Sequence, residues 1–435
     1  MIRASSMIAA FLLMLSGCAP PPSDQIELKF WAMGREGEAV SLLLPEFERR
    51  HPEIRVQLQQ LPWTAAHSKL LTAYASDALP DVFQLGNTWL PELAELDALA
   101  VLDGALLNSH SVQRADYFPG ILDTNVIDGT LYGLPWYVDT RLLFYRRDLL
   151  SQAGYNSPPE TWGEWMQMQA AIKAMVGNER YAVLLPVNEF EPLLALALQQ
   201  EMPLLREHAR YGNFRSAEFR RTLSFYVEMF TRDFAPKMTN TQISNVWTEF
   251  GRGYFSFYVS GPWNIAEFQK RLPLELQSAW MTAPLPGPNG PGASNAGGSS
   301  LVVSRKSVHP EAAWKLIEYL SEPTVQREFH GLVGAMPPRR SSWAQSALAD
   351  DVYARAFREQ LERAKPTPRI PEWERIATEM RLVAERAVHG DFSIEQAVVE
   401  LDVRTDQILE KRRWLLDREA AEATTAQLHN RTQRP

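Results

Sequence analysis

Cysteine is almost missing from this chain of 435 residues. Cys18 is the only one, which removes any disulfide framework and any cysteine metal site. Histidine is scarce as well: the eight are scattered, with no His-x₃-His spacing of the kind that grips a metal. No glycine-rich phosphate loop of the P-loop type occurs. Basic charge is in deficit, with a formal net charge of −8, so the chain lacks the electrostatic footprint of a nucleic-acid binder. Beyond residue 17 no apolar run is long enough to span a bilayer core of roughly 30 Å. No cofactor, metal or nucleic acid is expected.

What is present begins at the N-terminus. Arg3 supplies a short positive region, Met7 to Leu15 is apolar, and Ser16 and Gly17 are small, the layout of a secretory signal peptide over residues 1–17. Leu15-Ser16-Gly17-Cys18 resembles the lipobox of bacterial lipoproteins, in which the thiol is diacylated and becomes the new N-terminus. That resemblance implies lipidation at Cys18 and anchoring to a membrane in the periplasm or at the cell surface. Pro20, Pro21 and Pro22 would make residues 18–24 an extended, semi-rigid spacer.

Aromatics are plentiful, with 13 Trp and 13 Tyr. Core packing takes many of them. Yet Trp31, Trp63, Trp89, Trp136, Trp263 and Trp373 lie beside Gly, Pro, Asn or charged residues rather than inside apolar runs. Aromatic platforms with a few planar polar groups suit the C–H faces of sugar rings.

Hydrophobic periodicity then orders the chain. Leu28-Lys29-Phe30-Trp31 and Ile54 to Leu58 alternate as half-buried strands, and Asp81 to Leu85 reads as a more buried one. Between them lie helices carrying Ala39 to Phe47, which Pro45 should kink, and Leu70 to Tyr74. Strand, helix, strand, helix, strand implies a parallel sheet, with ligand held off the C-terminal strand ends at 32–36, 60–63 and 86–89. Further strands are expected at 142–145 and 255–259. Thr161 with Glu164 and Ser393 with Gln396 form capping boxes, and Pro310 opens a helix through Leu320. Residues 284–298 hold four prolines and five glycines, marking a loop or a crossing between lobes. Residues 417–435 are polar enough to be a frayed tail.

Pro45 to Pro52, Leu79 to Phe83, Tyr132 to Asp139 leading to Leu143 to Leu149, Pro158 to Trp162, Ser260-Gly261-Pro262-Trp263, and Gly297-Gly298 before a strand follow one another along the chain. In this order they resemble family 1 of the extracellular solute-binding proteins, the group with bacterial and archaeal maltose- and trehalose-binding proteins. The resemblance runs over nearly the whole mature chain. It implies an α/β protein of the two-lobe type II periplasmic-binding fold, each lobe a mainly parallel sheet flanked by helices, hinged to close on a sugar. One lobe would take residues 25–136 plus 287–338, the other 137–286 plus 339–416. The chain would act as a monomer and hand its sugar, an α-glucoside disaccharide such as trehalose or maltose, to the permease subunits of an ABC importer.

The resemblance also carries over site residues. Glu36 matches a carboxylate on sugar hydroxyls, with Glu38 the neighbouring choice, and a carboxylate can accept two hydroxyl protons side by side. His67 matches a His or Arg on the sugar, and Asn87, whose amide offers donor and acceptor together, ends the third strand. Trp89 follows as a cleft wall. Tyr137 and Asp139 match positions facing sugar from the second lobe, and Asp139 needs a polar partner in its apolar surroundings. Trp263 matches a stacking aromatic, Gly297 and Gly298 positions of close backbone approach, and Arg339 an Arg on sugar hydroxyls, with Arg340 its competitor. The chain departs from its relatives at Gly86, where some carry Asp, and at Ser299, where a Trp can stand. Two rivals remain: a secreted glycoside hydrolase, which needs two carboxylates flanking a scissile bond and could draw on Glu36 and Asp139, and a binding protein that serves a sensor.

Overall fold

A computed structural model of the chain describes residues 25–344 and 347–432, so Cys18 and the apolar run before it lie outside the described residues. Among those described, two main sheets are built from β1 (Ile26–Met33), β2 (Ile54–Leu61), β3 (Val82–Gly86), β4 (Gly133–Val138), β5 (Leu142–Arg146), β6 (Tyr181–Leu184), β7 (Phe255–Ser260), β8 (Trp280–Ala283) and β9 (Gly298–Val303). The first sheet has the order β2-β1-β3-β9-β4 and the second β8-β5-β7-β6. Each is one lobe of an α/β protein with helices on its faces.

The start of the chain folds as its periodicity predicts. In β1 the alternating Leu28, Phe30 and Ala32 are buried, and β1 pairs in parallel with β2 over its whole length. Crossover helices join these strands, as parallel pairing requires. Pro45 does not kink one helix; it sits in the first turn of a second one, Leu44–Arg50, after the first, Gly34–Val40, has ended. A proline lacks the N–H that a first turn leaves unused, so this position costs nothing. Both capping boxes form, at Thr161 with Glu164 and at Ser393 with Gln396, and the helix opened by Pro310 runs through Leu320.

The sheets are mixed rather than mainly parallel. β9 runs antiparallel to both β3 and β4, and β5 runs antiparallel to both β7 and β8. β9 and β5 each enter their sheet straight from the opposite lobe. Neither is tied to a neighbour by a crossover helix, so their direction is set by the entry point.

Each lobe has its own core. Leu28, Phe30, Val82, Leu134 and Leu301 pack with the helix Pro310–Leu320 in the first. Trp165, Phe225, Phe257, Trp373 and Val398 pack in the second. Segments pass between the lobes side by side: β4 into β5 at residues 139–141, the Pro- and Gly-rich residues 284–297, and residues 334–343. Val138 and Met336 bond to each other through their backbones, and Asp139 N–H reaches Gly297 O at 3.4 Å. Because β4 extends to Val138, Tyr137 belongs to the first sheet, not to the second lobe. The polar residues from 417 are no frayed tail up to 432: they continue the helix Glu410–Thr432. Its Ala, Glu and Arg content has high intrinsic helix propensity and needs no buried face.

Where the short helix Pro119–Asp123 meets the two-residue strand Ala364–Lys365, a Cβ on Gly120 would stand 1.8 Å from Ala364 O, whereas one on Gly104 would touch nothing within 4 Å. Gly120→Ala should therefore cost about 1–3 kcal/mol through overpacking. Gly104→Ala, in the exposed helix Asp103–Asn108, should be neutral or stabilising by up to about 1 kcal/mol. Denaturant unfolding of both variants checks the pair.

Candidate interlobe binding cleft

Between the lobes lies a cleft of about 500 Å³. One wall comes from the three strand ends that the parallel-sheet pattern singles out. Arg35 and Glu36 follow β1, Trp63 follows β2, and Gly86, Asn87, Thr88 and Trp89 end β3. The facing wall takes Arg141, Glu191 and Leu194 from the second lobe, with Trp263 at the start of the helix Trp263–Arg271. Tyr137, Asp139, Gly297 and Gly298 line the crossings between them. Of the site residues expected from the sequence, Glu36, Asn87, Trp89, Tyr137, Asp139, Trp263, Gly297 and Gly298 are brought together here.

Local packing explains how these side chains are held. Trp63 and Trp89 meet edge to face at 5.7 Å, and Trp63 Nε1–H donates to Glu36 Oε2 at 3.2 Å. Ser300 Oγ donates to Asn87 Oδ1 at 2.9 Å, which leaves the Asn87 amide nitrogen buried with no partner. A Cβ on Gly86 would stand 3.3 Å from the Trp89 indole, so the missing side chain there gives the ring room. Gly298 has φ +126°, and a Cβ on it would lie 2.2 Å from Tyr137 O; one on Gly297 would lie 2.1 Å from Asp139 Oδ1. Gly298 is thus required by the protein's own backbone, and Gly297 by the placing of the Asp139 carboxylate, beyond any approach of ligand.

Two expected residues lie elsewhere. His67 is not on the cleft surface: its ring packs behind Trp89 at 4.9 Å and its Nε2 pairs with Glu92 at 2.6 Å. Arg339 is buried away from the cleft, bonded to Asp116 and to the Ser321 and Ser111 carbonyls, so each of its three guanidinium nitrogens is engaged within the fold. Its neighbour Arg340 pairs with Glu362. Of the six tryptophans singled out by context, Trp63, Trp89 and Trp263 line the cleft, while Trp136 stacks on Phe329 and Trp373 is in the second core.

Arg141 and Glu191 are among the cleft residues that sequence reasoning missed. Arg141 donates to Glu191 Oε1 at 3.0 Å and to Asp139 O at 2.9 Å, and its guanidinium lies 4.8 Å over the Trp263 ring. A polar Asp-Thr-Arg run between two apolar strands was the available signal. Across the cleft mouth, the Thr88 hydroxyl bonds Glu374 of the second lobe.

The electrostatics are those of a site short of cations. Burial raises the Glu36 carboxyl above its usual range and Asp139 raises it further; its backbone N–H, Trp63 and Tyr137 oppose. A third of the Asp139 side chain still faces the cleft, but the surrounding protein raises its carboxyl too, with Arg141 opposing and Glu191 adding. Burial works against the Arg141 cation, yet Glu191 and Asp139 outweigh it and raise its pKa. Among the described residues, no group of three or more His, Cys, Asp or Glu is placed to hold a metal ion.

Two lobes of α/β structure with an aromatic and carboxylate cleft between them are the architecture of a solute-binding protein. A family model of bacterial extracellular solute-binding proteins matches residues 33–327, and the chain belongs to that family. It is similar to the sugar-binding protein MalE of the phytopathogen Xanthomonas citri, with 58% identity, a TM-score of 0.89, and coverage of 90% of this chain and 99% of that one. It is also similar to the diacetylchitobiose binding protein DasA of Streptomyces coelicolor (23% identical; 84% of this chain, 88% of that protein). The galactooligosaccharide-binding protein of Bacillus subtilis is 23% identical over 90% of this chain and 93% of its own length.

Because both carboxyls titrate higher in the folded protein than in the unfolded chain, ionising them costs stability as pH rises through their folded range. Glu36→Gln and Asp139→Asn should each raise the Tm of the ligand-free protein at pH 7, and the gain should vanish in acid, below the unfolded carboxylate range. Thermal scans at about pH 3, below the unfolded carboxylate range, and at pH 7 check the sign.

Proposed function

We propose that this chain is the extracytoplasmic sugar-capturing component of an ABC importer. The observation that carries the reading is one cleft walled by Trp63, Trp89 and Trp263, with Glu36, Asp139 and the unpaired Asn87 amide between them. Ring faces stack on such indoles, and carboxylates and amides hold hydroxyls by paired hydrogen bonds. Hinge closure then buries the sugar between lobes, and the closed form docks on the permease subunits. The similarity to the Xanthomonas citri sugar-binding protein supports the substrate class. The ligand proposed is an α-glucoside disaccharide such as trehalose or maltose; the three tryptophans suit stacking under more than one ring. The protein acts as a monomer, tethered in the periplasm or at the cell surface through a lipid on Cys18.

Calorimetry and tryptophan fluorescence over a panel of mono- and disaccharides test this. An α-glucoside disaccharide should bind tightest and emerge uncleaved; binding of an amino acid or polyamine with no sugar bound would sink the reading. Asp139→Ala and Trp263→Ala should each weaken sugar binding by about tenfold or more while the protein stays folded, as lost hydrogen bonds or stacking imply. The tether has its own check: Cys18→Ser should move the protein from the membrane to the soluble fraction on fractionation.

A further inference from the structure

A second cavity, of about 420 Å³, lies in the second lobe beside the cleft. Like the cleft, it falls within the roughly 300–1,000 Å³ of small-molecule sites. It opens off the C-terminal ends of β6 and β7, which pair in parallel. An α/β sheet holds ligands at such ends, so this is the second lobe's counterpart of the strand ends that wall the first. Glu189, Asn240, Asn245, Trp247, Tyr258 and Ser260 line it, which repeats the cleft's mix of indole, carboxylate, amide and hydroxyl. The protein holds several of these groups in place. Trp247 Nε1–H donates to Asn264 Oδ1 at 2.8 Å, Asn264 Nδ2 to Ser260 Oγ at 2.7 Å, and Asn240 Nδ2 to Glu189 Oε1 at 3.2 Å. None of the six has a part in the binding contacts described so far.

Arg141, Glu191 and Trp263 line both cavities, so they form the wall between them. Arg141 is the centre of that wall. Its guanidinium lies 4.8 Å over the Trp263 ring, donates to Glu191 Oε1 at 3.0 Å and is tied to Asp139 O at 2.9 Å. The side chain is 12% exposed, and stranding a buried carboxylate without its cation is strongly unfavourable, so the wall is fixed and not a flap. We infer that Arg141 sets the length of the ligand: stacked on Trp263 and paired with Glu191, it parts the cleft from a second sugar-sized chamber and limits the bound sugar to a disaccharide. The inference rests on the sugar-binding reading and deepens it. A longer α-glucan would have to displace the guanidinium to set a third ring among Glu189, Asn240 and Ser260. Glu189 suits such a ring: burial and Glu191 raise its carboxyl while Arg141 and Asn240 oppose, which leaves it poorly stabilised until hydroxyls reach it.

Calorimetry with maltotriose, and with the tighter-binding of trehalose and maltose, tests this in the parent and three variants. Arg141→Ala removes the wall. Arg141→Ala with Glu191→Gln also removes the carboxylate that the first change strands, and Arg141→Lys keeps the charge but not the planar group over the ring. The ratio of trisaccharide to disaccharide affinity should rise by about tenfold or more in the first two, as one more stacked and hydrogen-bonded ring implies, and less in Arg141→Lys. Adding Glu189→Ala should cancel much of the gain. An equal loss for both sugars in all three variants would make Arg141 a plain ligand contact and overturn the inference, as would a parent that binds maltotriose as tightly as the disaccharide. A crystal structure of the ligand-free double variant reads the wall with no sugar present: one continuous cavity is expected, and two parted cavities would overturn the inference. Failure of every sugar to bind the parent would instead overturn the proposed function, and the crystal structure would still decide the wall.

Discussion

The close approach of two backbone segments at the crossing between lobes sets most of what surrounds it. Gly298 pairs with Val138, and neither it nor Gly297 has space for a side chain against Tyr137 and Asp139. That approach lets β9 complete the first sheet beside β4 with a bulge between Ser299 and Ser300. It seats Ser299 under the Tyr137 hydroxyl, sets the Asp139 carboxyl at the cleft, and starts β5 into the second sheet. Were the strands held a side chain's width apart, the floor of the site and the hinge would both be lost.

On this floor the site is built with more negative charge than the fold prefers. Glu36, Asp139, Glu191 and Glu374 line one cleft with only Arg35 and Arg141 as cations. Burial raises the first two carboxyls, with Asp139 adding to the rise of Glu36 and Glu191 to that of Asp139, a cost borne by the ligand-free protein. Sites that must bind often carry such strain, since groups left short of partners are the ones a ligand can satisfy. The unpaired Asn87 amide belongs to the same pattern. Arg141 limits the cost: it ties Glu191 to the crossing segment and lies over the Trp263 ring, so it joins the charged and aromatic halves of the second wall.

Much of this was legible in one dimension. Alternation in β1 and β2, the capping boxes at Thr161 and Ser393, the proline at 310 and the strand-end positions of Glu36, Trp63 and Trp89 all follow from short-range rules. Those rules act within a few residues and need no knowledge of the fold. His67 and Arg339 were misplaced for the opposite reason. The direction of each is decided by partners distant in sequence: Glu92 for His67, and Asp116, Ser111 and Ser321 for Arg339.

The sequence by itself determined that this is an α/β chain whose early strand ends gather aromatic and carboxylate groups, because strand and helix periods and turn chemistry are local properties. Only the tertiary structure decided that both sheets are mixed, that Tyr137 belongs to the first of them, and which of six candidate tryptophans face the cleft. Strand direction and side-chain exposure depend on which distant segments meet, and the crossing of Gly297 and Gly298 over Tyr137 and Asp139 is where they meet.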